Sequence, residues 1–389
     1  MGLKRFEFAT ATRILFGRGV LKELAPITGG LGERALVVTG VEEARAGALF
    51  ETLAHHGVTF ESFSVREEPT VSLVQSGVEN ARGSGIDLVI GFGGGSAIDC
   101  GKAIAALCTN PGEAIDYLEV IGHGQKLSVA PLPFIAIPTT AGTGAEVTSN
   151  AVLGSPEHSV KVSLRSPRML PRLSLVDPEL TFNLPPAITA STGMDALTQL
   201  IEPYLSVKAN PLTDAFCKEG IPRVARSLRK AYTSGNDPEA REEMSLASLL
   251  GGLALANAKL GAVHGFAGTF GGMFPAPHGA ICARLLPPVM AVNLESIREQ
   301  SPQGNGMILA RFAEVARFLT GEDSANPEDG VAWLEQLVVE FGIPPLSSYG
   351  LSEADFPTLI EKASKASSMQ GNPVQLSDRA LKRILELAM

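Results

Sequence analysis

A strand that runs straight into a glycine cluster and out into a helix leaves a chain few folds to choose from. Leu88-Val89-Ile90-Gly91-Phe92 reads as a buried strand, Gly93-Gly94-Gly95 follows, and Ser96 to about Thr109 has helical spacing. Glycines let backbone N–H groups approach an anion with no Cβ in the way, and a helix N-terminus adds partial positive charge. A pyrophosphate is the obvious ligand. The run is not the GxGxxG fingerprint, because its glycines are contiguous and Ser96 follows. A tight strand-to-helix turn needs a single glycine, so the cluster argues for more than a turn. Asp99 and Lys102 fall on one side of the new helix, where they are as readily an i,i+3 surface pair as functional groups.

The flanking sequence repeats the alternation. Ala35–Val38 reads as a buried strand ending at Thr39-Gly40, Glu42–His56 as a helix, Val58–Phe63 as a strand, Leu73–Ser84 as a helix and Phe134–Ile137 as another strand. Such alternation implies a parallel sheet with helices on both faces and ligands at the carboxyl ends of its strands. Phe6-Glu7-Phe8 and Arg13–Phe16 read as a small strand pair. A second polar loop, Pro138-Thr139-Thr140-Ala141-Gly142-Thr143-Gly144-Ala145-Glu146, follows the strand at Phe134. Paired with the glycine cluster it supports a two-loop dinucleotide site.

After Pro178 the texture changes. Leu184-Pro185-Pro186 breaks the chain, and Ala190–Ser206, Pro238–Ala258, Gly279–Leu294, Met307–Thr320 and Asp329–Phe341 carry helical spacing. Ser301–Asn305 reads as a polar loop. The expectation is an α/β nucleotide-binding domain with a parallel sheet over 1–183, followed by an all-α helical domain over 184–389. The length, 389 residues, suits two domains.

Within the helical half, Asp195 and Gln199 stand one turn apart in GMDALTQLIEPY, on one face of a helix. His264 and His278 lie in AVHGFAGTFGGMFPAPHGAICARLLP, each before a glycine and separated by a proline-containing break. A carboxylate, an amide and two imidazoles form a plausible divalent-metal set. The net charge of −9 and the lack of any Lys/Arg run argue against nucleic acid. Cys100, Cys108, Cys217 and Cys282 are scattered without a CxxC, which suggests neither a disulfide frame nor a thiolate metal site. Neither a secretory signal nor a membrane span is expected, so the reading is of a cytosolic protein.

GGGSAID, PTTAGTGAEVT, the Lys161 segment VKVSLRSPRMLPRLSLVDPEL, GMDALTQLIEPY and HGFAGTFGGMFPAPHG occur in an order and spacing that resemble the iron-containing (group III) alcohol dehydrogenase family. The resemblance runs from about Phe6 to the last helix. It implies an N-terminal nucleotide-binding α/β domain and a C-terminal helical domain, with metal and nicotinamide in the cleft. It implies that Gly93, Gly94, Gly95 and Ser96 cradle the pyrophosphate, that Asp99 sits on the nicotinamide side, that Thr139, Thr140 and Thr143 line the cofactor cleft, and that Lys161 meets a ribose. Asp195, His264 and His278 match three metal ligands and carry the catalytic role. The activity implied is hydride transfer between NAD(P) and a small alcohol/aldehyde pair, with Fe²⁺ or Zn²⁺ as a Lewis acid. A homodimer is expected, with the N-terminal strand pair as a candidate for pairing across subunits.

Three positions depart from the family pattern. Position 199 is Gln where the fourth ligand is usually His. That leaves three options: ligation through the amide oxygen, a water in its place, or an empty site. Gly268 stands where many members carry a His thought to help relay a proton. Gly40 stands where many NAD-preferring members carry an Asp, which permits NADP; Arg45 can reach a 2′-phosphate, while Glu42 and Glu43 argue for NAD. These departures keep alternatives open: a metal-independent reductase resembling maleylacetate reductase, a lyase resembling dehydroquinate synthase, or a non-catalytic nucleotide-binding protein.

Overall fold

The structure is a computed structural model that describes residues 5–41, 43–300 and 306–389, with Ala25, Glu43 and Ala44 described by their backbone alone. Glu42, the side chain of Glu43 and the expected loop at Ser301–Asn305 lie outside the described residues. The chain divides into two compact units, one of residues 9–182 and one of residues 183–389 joined by the segment that ends at Phe8.

The first unit holds eight strands: β1 (Ile14–Phe16), β2 (Arg34–Thr39), β3 (Thr59–Ser64), β4 (Leu88–Gly93), β5 (Phe134–Pro138), β6 (Asn150–Ser155), β7 (Val160–Arg165) and β8 (Leu173–Val176). Its helices are α1 (Leu24–Thr28), α2 (Glu43–His55), α3 (Val71–Gly83) and α4 (Gly95–Cys108). Six strands form one parallel sheet in the order β1-β8-β5-β4-β2-β3, and β6 and β7 form an antiparallel hairpin.

The two-residue period of a strand explains the layering. Ala35 and Val37 of β2 join one core with Ala46, Leu49 and Leu53 of α2. Leu36 and Val38 face the other way, into a core with Val74 and Val78 of α3 and Ile98, Ala103 and Ile104 of α4. With both faces covered, the central strands read as continuous apolar runs rather than alternating ones.

The expected N-terminal strand pair does not form. Residues 6–8 are not a strand, and the Phe8 ring packs instead on Phe216, centroids 5.7 Å apart. Ile14–Phe16 pairs in parallel with β8 and forms one edge of the sheet. The turn after β1 is tied to the end of β8: Asp177 Oδ1 accepts from Gly19 N and Oδ2 from Leu21 N. The Asp177 carboxylate and the ladder to β8 commit β1 to the parallel sheet, while the half-buried Phe8 ring has Phe216 as its partner in place of a hairpin strand.

The second unit is helical, with no strand among the described residues: α5 (Pro186–Leu205), α6 (Pro211–Thr233), α7 (Pro238–Asn257), α8 (Ala262–Met273), α9 (His278–Gln300), α10 (Gly306–Thr320), α11 (Pro327–Glu340), α12 (Phe356–Lys365) and α13 (Asp378–Ala388). α5 is its centre. It packs against α6, α7 and α9 and is buried without interruption from Gly193 to Leu205. A helix sunk this deeply cannot leave polar side chains to water, so Asp195, Gln199 and Glu202, a stripe along one face, need partners inside the unit.

Candidate metal centre and phosphate-binding loop

In the first unit, β4 ends at Gly93 beside Pro138 of β5, so the two polar loops leave the sheet as neighbours. Thr139 N donates to Gly93 O at 2.9 Å, which ties one loop to the other. A Cβ on Gly95 would come within 2.9 Å of the Thr143 side chain, and one on Gly93 within 2.8 Å of Ala97 and 3.0 Å of Gly40 N. Gly93 also has φ +154°, a conformation that L side chains rarely adopt. α4 starts at Gly95, and its N-cap Gly94 offers no side-chain acceptor, so the first amides of the helix are free to receive an anion. Gly94, Gly95, Ser96, Thr140 and Thr143 are only partly buried, as an accessible cradle requires.

Around this cradle, several residues have structural duties. Lys102 is no surface residue: it is 1% exposed. Its Nζ lies 2.9 Å from Asp99 Oδ1 and donates to Ala145 O at 3.0 Å, Thr148 Oγ1 at 2.8 Å and Asn150 O. Asp99 Oδ2 accepts from Val152 N at 3.0 Å. The pair therefore bolts the second polar loop and the β6–β7 hairpin onto α4. Lys161, on β7, is ion-paired with Glu68. Arg45 donates to Leu180 O at 3.0 Å. A Cβ on Gly40 would lie 3.2 Å from that of Ala97, so close packing against the first turn of α4 favours a small residue there.

In the second unit, three helices bring four donor groups together. Asp195 comes from α5, His264 from α8, and His278 and Cys282 from successive turns of α9. One ligand atom from each lies within 4.8 Å of all the others. His264 Nε2 is 3.4 Å from Asp195 Oδ1, and His278 Nε2 is 3.9 Å from the same oxygen. Cys282 Sγ is 3.6 Å from His278 Nε2 and 3.9 Å from His264 Nε2.

Glycine fixes the approach of these helices. A Cβ on Gly279 would meet Ser191 O at 2.4 Å, and Ser191 lies one turn before Asp195 on α5. A Cβ on Gly265 would meet Met369 Cε at 2.9 Å. Both His-Gly steps are thus close-packing steps. The break at Phe274-Pro275-Ala276-Pro277 ends α8 and lets α9 begin at His278.

Glu202 links helix capping to the donor cluster. Its Oε1 accepts from Val263 N at 2.7 Å, and Asn372 Oδ1 accepts from Ala262 N at 3.1 Å, so α8, which has no side-chain cap of its own, is capped from outside. Glu202 Oε2 lies 2.6 Å from His264 Nδ1. With its Nδ1–H donated to that carboxylate, His264 presents Nε2 to Asp195 and Cys282, where a metal would take the place of the Nε2 proton.

Burial opposes charge at Asp195, but the imidazoles of His264 and His278 and the Cys282 thiol outweigh it and hold the carboxyl below the usual range. Burial likewise opposes protonation of His264, yet Cys282, Asp195 and Glu202 hold it well above the usual imidazole range; His278 is raised by Cys282 and Asp195. The cluster is a well for positive charge. Asp195 Oδ1 is buried and meets no donor with hydrogen-bond geometry, and Gln199 Oε1, one turn along α5, is also buried and unpaired. Buried lone pairs without donors are costly, and a cation is the partner that two imidazole nitrogens, a carboxylate and a thiol share. The residues present fit a divalent metal.

Cys282 and Glu202 are the functional candidates not singled out from sequence. For Glu202 the sequence carries a signal, since it continues the i, i+4, i+7 stripe of Asp195 and Gln199; Cys282 stands one turn from His278, a spacing that does not by itself set it apart from the other cysteines. At Gly268, a Cβ would meet no atom within 4 Å, so α8 has open space where many family members carry the extra His.

Comparison with known proteins agrees over the whole chain. Residues 11–178 match the family model for iron-containing alcohol dehydrogenase, and residues 189–389 that for the C-terminal region of the Fe-containing alcohol dehydrogenase family. Alcohol dehydrogenase 4 of Schizosaccharomyces pombe is 38% identical over 381 residues, covering 96% of this chain and 87% of the relative. The 1,3-propanediol dehydrogenase of Klebsiella pneumoniae is 36% identical over an aligned span of 404 positions, gaps included, that covers 100% of this chain and 100% of the relative. A solved 1,3-propanediol oxidoreductase superposes with a TM-score of 0.91 at 34% identity, covering 99% of this chain and 100% of the other. This is an alcohol oxidoreductase by homology, and the chain belongs to the iron-containing alcohol dehydrogenase family.

Proposed function

We propose that the protein catalyses reversible oxidation of a small alcohol to its aldehyde or ketone with NAD(P), assisted by a divalent metal. The alcohol loses a hydride to the nicotinamide and a proton to solvent, giving the carbonyl product and NAD(P)H. The reading rests above all on the cluster of Asp195, His264 and His278, whose carboxylate oxygen is buried with no donor of its own while the His278 ring stays partly exposed. Those three residues would hold the metal, with Gln199 as the fourth candidate from sequence. When bound, the ion supplies Lewis acidity toward the substrate oxygen. The cofactor's pyrophosphate would rest on Gly93, Gly94, Gly95 and Ser96, with Thr139, Thr140 and Thr143 beside it, and its nicotinamide supplies the hydride acceptor.

The remaining roles belong to the chain itself. Glu202 holds His264 in one tautomer and orientation. Lys102 and Asp99 hold the second loop against α4, so Asp99 serves the cofactor side through position. Lys161 is proposed for the ribose, within the hairpin that this knot anchors. Gly40 carries no carboxylate to repel a 2′-phosphate, which supports acceptance of NADP alongside NAD. The proposed setting is a cytoplasmic homodimer acting on small molecules.

The test is chelation followed by reloading. Metal-stripped protein should lose nearly all NADH- and NADPH-linked aldehyde reduction and regain it with one equivalent of Zn²⁺ or Fe²⁺. Full activity of stripped protein would instead favour the metal-independent reductase, and tight cofactor binding with no turnover across an alcohol and aldehyde panel would favour a nucleotide-binding protein.

A further inference from the structure

Gln199 leaves the metal set one strong ligand short, and the structure holds a substitute that is not on α5. Cys282 is fully buried, one turn beyond His278 on α9, with Sγ facing both imidazole Nε2 atoms. We propose that Cys282, rather than Gln199, completes the site with Asp195, His264 and His278, making it an Asp/His/His/Cys centre suited to a thiophilic ion such as Zn²⁺, which would meet a substrate oxygen by expanding to a fifth ligand. The inference rests on the metal reading of the preceding subsection.

The spacing carries it. Metal–ligand lengths of about 2.0–2.1 Å for nitrogen or oxygen and about 2.3 Å for sulfur, at tetrahedral angles, require N···O edges of about 3.4 Å and S···N edges of about 3.6 Å. The N···O edges here are 3.4 and 3.9 Å, and the S···N edges are 3.6 and 3.9 Å. The remaining two edges lie within 4.8 Å. Four side chains from three helices stand within about half an ångström of a tetrahedron along each of the four edges measured. Asp195 Oδ1, buried and without a donor, is a second and independent sign that a cation belongs there.

Chemistry separates the two candidates for the fourth place. An amide oxygen is a hard, neutral donor, whereas a thiolate is soft and charged and selects zinc-like ions over those that prefer oxygen. As the sulfur–metal bond forms, the thiol proton leaves to solvent. The other cysteines do not compete: Cys100 and Cys108 lie on α4 in the first unit and Cys217 on α6, none of them in the donor cluster.

Cobalt(II) substitution tests this, because a cysteine thiolate on Co²⁺ gives an intense near-ultraviolet charge-transfer band that nitrogen and oxygen ligands do not. The full-length protein should bind one Co²⁺ and show that band. Cys282→Ala should lose the band and bind Co²⁺ more weakly, by more than the roughly 10–100-fold typical of losing an outer-shell partner. Gln199→Ala should keep both band and stoichiometry, and His264→Ala should lose the ion. Should Cys282→Ala fold poorly, the wild-type spectrum and Cys282→Ser decide. One bound Co²⁺ without the band, or a band that survives in Cys282→Ala, overturns the cysteine assignment alone. No bound metal in the wild type overturns the metal reading together with it.

Discussion

Replacing Lys102 by Met removes a buried ammonium while keeping most of the stem's volume. In the wild type that ammonium meets Asp99 Oδ1, Ala145 O, Thr148 Oγ1 and Asn150 O, all inside the first unit. The variant leaves a carboxylate whose side chain is only 14% exposed and three oxygen acceptors facing a thioether. Removing one partner of a buried ion pair costs about 3–5 kcal/mol, a large share of the roughly 5–15 kcal/mol that holds a protein folded. The chain has a single tryptophan, Trp333, and it lies on α11 in the helical unit, so its fluorescence is a poor probe of this loss. Hydrogen exchange is the better assay, read on peptides covering α4 and β6. The expected acceleration there is about 10²–10⁴-fold, with the helical unit protected as before. Adding Asp99→Asn removes the stranded charge and should restore part of the protection. Exchange within tenfold of wild type in Lys102→Met, or no coupling between the two substitutions, would refute the claim that this pair bolts loop and hairpin to the helix.

Three further perturbations probe separate steps. Gly95→Asp puts a carboxylate into the anion cradle and a Cβ within 2.9 Å of Thr143, so NADH and NADPH binding by fluorescence titration should be lost; normal titration would remove the loop from the cofactor site. Burial pushes the Glu146 carboxyl up to about 7, against the opposing pull of a backbone N–H and the Lys102 charge. A carboxyl raised in the folded state stabilises below its unfolded value of 4.5 and loses that contribution as pH climbs through about 7. The loss is ~3 kcal/mol between pH 5 and 8. Glu146→Gln should therefore flatten the fall in unfolding free energy over that range, and parallel profiles for variant and wild type would count against it. Glu202→Gln keeps an acceptor for Val263 N but can turn an NH₂ toward His264 Nδ1. Competition titration should give metal affinity about 10–100-fold lower with helix content unchanged, and an unaltered affinity would mean Glu202 does not orient the imidazole.

What could be read from the bare chain depended on the range of the forces involved. The apolar runs of β2 and β4 and the glycine cluster act over a few residues, and both appear where their spacing placed them. β6 and β7 have no such signature: the hairpin is short, partly exposed and fixed by Lys102 and Asp99 from another element. α8 was hidden by its glycines and α6 by Pro222, since helices poor in propensity are made by packing. The candidate donor cluster divides along the same line. Asp195, His264 and His278 could be recognised by type and motif. Cys282 could not be told from three other scattered cysteines until α9 turned it onto the imidazoles, because spacing along one helix identifies a face but not what the face meets. Gly40 shows the converse risk. Its missing side chain reads as a cofactor selector, yet a Cβ there would press on Ala97 in the first turn of α4. Gly40→Asp separates the two causes. If packing alone demands glycine, the variant loses NADH and NADPH binding together; if Gly40 governs choice, NADPH binding falls while NADH binding persists.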